Sequence, residues 1–170
     1  MGYYERPEYE VVLTDKPFEL RDYKKFFMVT YFSKEDPKSS EGFRTIFNYI
    51  SDKNEEKTKI SMTVPVIEGK NEEGYRMSFV VPKRFGSNPP KPVDARLTIT
   101  KMEGGRYAVI LYRGTSNSKL EKEKEKLLLD WMKEKNLPVE GSAKVAFFNP
   151  PFIPGAFKHN EVMIRVKDEG

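Results

Sequence analysis

The only imidazole in this chain is His159, and there is no cysteine. A single histidine offers a metal one neutral imidazole donor and no more. Without cysteine there are no disulfides, thiolate metal sites, iron–sulfur clusters or cysteine nucleophiles. Met62, Met77 and Met163 could each offer a soft thioether donor, but each sits in a strand-like apolar segment where methionine ordinarily packs. No paired carboxylates, glycine-rich phosphate loop or nucleophile–base pair stands out, so the chain is not expected to be an enzyme. What remains is aromatic surface beside cations: Phe43 and Phe47 flank Arg44, and Phe157 precedes Lys158.

Charge narrows the partners. The 30 Lys and Arg face 26 Asp and Glu, a net of +4 over 170 residues. The signs are interspersed, most clearly in Glu121-Lys122-Glu123-Lys124-Glu125-Lys126. Alternation of this kind belongs to a solvated helix face and not to a stripe that tracks phosphates, so no nucleic-acid partner is expected. No apolar run reaches the 18 residues that a membrane helix needs, and the N-terminal residues are polar where a signal peptide is apolar. No membrane insertion is expected, and the expected compartment is the cytoplasm.

The elements that would hold these side chains can be read from periodicity. Strands are expected at residues 9–13, 18–23, 25–32, 60–66, 75–81, 97–99, 107–112, 144–148 and 162–166, where apolar residues alternate or run together between turn residues. Pro65 would put the fourth of these at an edge or a bulge, because proline gives the ladder no hydrogen. A first helix is expected at 38–51, opened by Asp36-Pro37 and carrying Phe43, Ile46, Phe47 and Ile50 on one face. A second is expected at 118–135, opened by Ser118 and Glu121 as a capping box. His159 falls in the loop before the last strand.

The order strand, helix, strand, strand occurs twice, over about 25–82 and 106–167. The two helix ends also match, Tyr49 to Asn54 against Trp131 to Asn136. The expected fold class is therefore α+β: a distorted antiparallel β-barrel from a duplicated βαββ unit, with two flanking helices, in a single domain over 1–170.

Several segments, in order, resemble one family. They are Glu19-Leu20-Arg21-Asp22-Tyr23, Glu41-Gly42-Phe43-Arg44 to Tyr49-Ile50, Ile60-Ser61-Met62-Thr63-Val64-Pro65-Val66, Phe79-Val80-Val81-Pro82, Asn149-Pro150-Pro151 and Asn160-Glu161-Val162. The chain is similar to the SOUL haem-binding protein family, including its p22 haem-binding members, over about residues 9–167. The resemblance implies the same barrel and non-enzymatic binding of haem or another tetrapyrrole in a shallow apolar site, as a carrier or buffer. It places that site on the first helix and the loop before the last strand: Phe43, Arg44, Phe47, Phe152, Ile153, Phe157 and Lys158, with no resident metal and with His159 as the weak candidate for an iron ligand. Asp22 stands where some members carry a histidine, and Ser40 and Asn48 stand where p22-like members carry cations. Arg44, four residues from each, would meet the ligand carboxylates instead. Two other functions suit the same architecture: a GyrI-like effector-binding module for amphipathic small molecules, and a protein-interaction module.

Overall fold

The computed structural model describes residues 4–35, 41–149 and 155–168. In chain order its elements are β1 (Tyr9–Asp15), β2 (Phe18–Tyr23), β3 (Phe26–Ser33), α1 (Glu41–Ser51), β4 (Val66–Asn71), β5 (Gly74–Val80), β6 (Leu97–Met102), β7 (Gly105–Arg113), α2 (Ser118–Glu134), β8 (Val139–Phe147) and β9 (His159–Val166). Every ladder described is antiparallel, and the fold class is α+β as the periodicity predicts. The chain divides into two compact units, Met1–Pro7 with Lys25–Glu103, and Glu8–Lys24 with Gly104–Gly170.

In the first unit the sheet order is β4-β5-β3-β6. Alternation on β3 and β5 sends Val29, Tyr31, Met77 and Phe79 to one face, where α1 covers them with Ile46, Tyr49 and Ile50. Gly42 lets the helix come this close: a Cβ there would lie 3.1 Å from Tyr31 Cδ1. Tyr49 is buried to 1% exposure and its hydroxyl donates to the Pro90 carbonyl at 2.5 Å. Burial, with the charge of Glu56, leaves that phenol pushed up to about 12. Asn54 closes the turn after α1, its amide donating to the carbonyls of Tyr49 and Thr58.

In the second unit the order is β1-β2-β7-β9-β8. Leu20, Ala108, Ile110, Val162 and Ile164 form the face on which α2 buries Leu128, Trp131 and Met132. Trp131 stacks on Phe18 at 5.0 Å and donates its indole N–H to Asp15 at 2.9 Å. At the outer edge, all seven residues of β1 are exposed. Its pairing with β2 jumps from Val11–Arg21 to Leu13–Leu20, so Val12 is an inserted bulge residue.

Both units carry strand, helix, strand, strand: β3-α1-β4-β5 and β7-α2-β8-β9. In each, the opening strand sits between the last strand of its own set and one further antiparallel strand, β6 or β2.

Three local expectations are corrected. Residues 60–65 form no strand; Thr63 makes only an isolated bridge to Glu5, and the ladder begins at Val66. Pro65 has no N–H to offer a ladder, and the Thr63 hydroxyl donates to the Val80 carbonyl instead of paralleling it. The cap of α2 is Asn117, whose side chain accepts from the Leu120 amide, while the Ser116 hydroxyl donates to Glu121. His159 is not in a solvated loop: it opens β9, opposite Arg113 on β7. The start of the first helix expected at 38–40 lies outside the described residues.

Candidate ligand-binding site

The stripe on α1 splits in two. Gly42, Thr45, Ile46, Tyr49 and Ile50 are buried, whereas Phe43 and Phe47 are 39% and 53% exposed. Their rings lie 6.3 Å apart and nearly parallel, at 18°. Together with Ile46 and Ile50 they border a cleft completed by Met62, Val66, Met77 and Phe79, so every lining residue among those described is apolar. The enclosed space is about 10 Å³, no more than one water needs. A larger ligand would therefore lie on this surface with the two phenylalanines against it, and not inside a cavity.

Arg44 is exposed on the same helix, and its side chain makes no hydrogen bond or ion pair with the described residues. Asn48, one turn on, is exposed as well. The cleft fits an apolar ring face. Among the described residues its lining offers no imidazole to iron, and its soft atoms are the thioethers of Met62 and Met77. Among the described residues no group of three or more His, Asp or Glu could hold a metal ion.

The other expected site residues belong to the second unit. Phe157 is 68% exposed at the end of the short turn Gly155–Phe157. Lys158 is half-buried, its amide donating to Gly155 and its carbonyl accepting from Gly114. Phe152, Ile153 and Ser40 lie outside the described residues. Asp22 is exposed on β2, opposite Arg106.

A second cluster, in the second unit, has no counterpart among the expected site residues. Arg21 and Glu161 are 1% and 2% exposed. The guanidinium donates to both carboxylate oxygens, at 2.7 and 2.9 Å, and to the Tyr23 hydroxyl at 2.9 Å. Its Cζ lies 4.3 Å from the Tyr9 ring centroid, a cation–π contact. His159 Nε2 stands 3.2 Å from Glu161 Oε2, and its ring meets Phe148 edge-on at 5.0 Å.

Burial opposes charge on both members of the pair, but the pairing prevails. Hydrogen bonds from His159 and Arg21 hold the Glu161 carboxyl below its usual value, and Glu161 raises the Arg21 guanidinium. With the carboxylate ionised, the imidazole must present Nε2–H to it, since a bare lone pair would be repelled. That nitrogen is therefore committed to Glu161. The Arg21 Nε has no acceptor among the described residues.

Of the cleft lining, Phe43, Ile46, Phe47 and Ile50 were visible as one helical stripe. Met62, Val66, Met77 and Phe79 read only as strand residues, and their alternation gave no sign that one end of the sheet face lies bare.

The family model described as SOUL heme-binding protein matches residues 4–165. The chain belongs to this family. One family model thus spans both units, and the family is one of binding proteins. Its fold recurs in solved structures of low identity. The C-terminal domain of EcmrR aligns with a TM-score of 0.65 at 11% identity, covering 94% of this chain and 98% of that one. A structure described as a hydrolase from Listeria innocua aligns with a TM-score of 0.61 at 10% identity, covering 92% and 94%. An uncharacterised conserved protein from the same organism gives 0.60 at 11%, covering 88% and 92%. At such identities the likeness is one of fold. No curated protein sequence matches the chain. No helix among the described residues is long and apolar enough to cross a membrane.

Proposed function

We propose that this SOUL family chain binds a tetrapyrrole without catalysing a reaction, as a cytoplasmic carrier or buffer, with the ring flat on the α1 cleft. The observation that carries the reading is a lining apolar throughout its described residues, with two exposed, near-parallel phenylalanines beside an exposed arginine. Phe43 and Phe47 would supply dispersion area against the ring. Half-exposed Phe47 still has roughly half of its transfer energy to give, about 1 kcal/mol. Arg44 would meet a ligand carboxylate across partly screening water. Haem would bring redox-active iron to the complex, and the lining supplies no imidazole to hold it.

The test is a haemin titration followed at the Soret band. The reading expects saturation at one equivalent and at least tenfold weaker binding in Phe47→Asp, about 1.4 kcal/mol. Arg44→Glu should weaken binding roughly threefold, as an exposed charge contact does. The roles expected for Phe157 and Lys158 are checked by Phe157→Ala and Lys158→Glu in the same titration. Linear, unsaturable uptake that ignores Phe47 would overturn the reading. Saturable binding of an amphipathic dye without any response to haemin would favour the effector-binding function instead.

A further inference from the structure

The apolar lining of the cleft does not end in neutral surface on its strand side. In the β4–β5 ladder, Val66 lies opposite Phe79, Glu68 opposite Met77 and Lys70 opposite Tyr75. Directly opposed residues of an antiparallel pair share a face, and so do residues two apart on one strand. Val66, Met77 and Phe79 all line the cleft. Glu68 is therefore on the cleft face, roughly 7 Å along the strand from Val66 at the usual rise. Tyr75, packed against the same core, donates its hydroxyl to Glu68 Oε1 and holds the carboxylate there. Lys70 follows on that face, one pair further from the lining, and is exposed.

We infer that Glu68 is a specificity-determining residue of the cleft, fixing the charge and orientation of the ligand it accepts. This rests on the tetrapyrrole reading of the same site. Nearest the lining the rim is electrically lopsided, with Arg44 on the helix side and a tethered carboxylate on the strand side, the Lys70 cation lying one residue pair further out. A flat ligand with acidic groups on one edge lies with that edge toward Arg44, because the opposite placement sets carboxylate against carboxylate. Like-charge apposition is an effective way to refuse the wrong pose. A ring that is acidic all round meets Glu68 in every pose and is bound less well. A cationic ring is attracted where an acidic one is repelled.

The experiment uses two porphyrins of one ring plane and opposite charge: protoporphyrin IX, with two carboxylates, and a tetra-(N-methylpyridyl) porphyrin, with four cationic groups. Each is titrated by absorbance into the full chain, at low ionic strength and again at physiological salt. Glu68→Gln should raise protoporphyrin affinity and lower that for the cationic ring, each by roughly threefold, so that their ratio moves about tenfold. Arg44→Gln should move the ratio the other way. Tyr75→Phe, which keeps the charge but frees the carboxylate, should give part of the Glu68→Gln effect. If Glu68→Gln proves poorly folded by circular dichroism, Glu68→Ala and Tyr75→Phe carry the test. A ratio that stays within twofold across these variants, with protoporphyrin still saturating the parent chain, overturns the role of Glu68 and leaves the tetrapyrrole reading standing. Failure of the parent to bind either porphyrin saturably overturns both.

Discussion

Arg21 and Glu161 stand 140 residues apart in sequence and form a two-pronged ion pair shielded from water. Such a pair has its desolvation cost already balanced by the partner, so losing one member is far worse than losing both. Glu161→Ala is expected to destabilise the chain by about 3–5 kcal/mol. Arg21→Met with Glu161→Leu should recover most of that loss. Urea unfolding of the single and double variants checks this; equal losses in both would mean that the attraction itself, not the stranded charge, dominates.

The same pair sets a pH dependence. Burial raises the Glu161 carboxyl, but hydrogen bonds from His159 and Arg21 and the Arg21 charge bring it below its ordinary value of 4.5. A carboxyl with a lower pKa folded than unfolded contributes stability above its unfolded pKa. That contribution is lost as pH falls below about 4.5 and through the folded value. Stability measured from pH 7 downward should therefore drop more steeply in the parent than in Glu161→Gln, which has no such proton to take up.

His159→Ala should cost stability, about 1.5 kcal/mol for one lost hydrogen bond to a charged acceptor. It should leave haemin affinity within tenfold and the Soret maximum in place, because His159 is not among the residues lining the α1 cleft and its Nε2 is held by Glu161. Protoporphyrin without iron should then bind about as well as haemin. A shift of the Soret maximum in the variant would make His159 an iron ligand after all.

On α2, Trp131 combines a stack on Phe18 with a hydrogen bond to Asp15. Trp131→Phe retains the stack and should cost about 1 kcal/mol for the bond. Trp131→Ala removes both and opens a cavity, at about 3–5 kcal/mol. Thermal unfolding of the two variants separates the contributions.

Much of the architecture was legible because alternation and helical period are local properties. β2 falls where its pattern places it, and α2 ends within a residue of the expected limit. Residues 60–65 misled because Ile60, Met62 and Val64 alternate as a strand would, while Pro65 withholds the ladder hydrogen. The cleft was only half legible. Period 3.6 puts Phe43 and Phe47 on the side of Ile46 and Ile50, but it does not say how far the sheet beneath extends. Coverage depends on which strands pair, and that is a non-local fact. Glu161 was harder still: its partner Arg21 lies on a strand that nothing in the neighbourhood of residue 161 announces.

The bulge at Val12 bears on how this chain avoids sticking to itself. An outer strand with Val11, Val12 and Leu13 all exposed would ordinarily template sheet growth from one molecule to the next. Val11 faces the side of Arg21 and Leu13 the side of Leu20, which are opposite faces of β2. A straight incoming strand keeps residues two apart on one face, so it can match one arm of β1 and never both. The inserted residue thus works as a stop against fibril growth, and removing Val12 would restore an unbroken, greasy template along the edge.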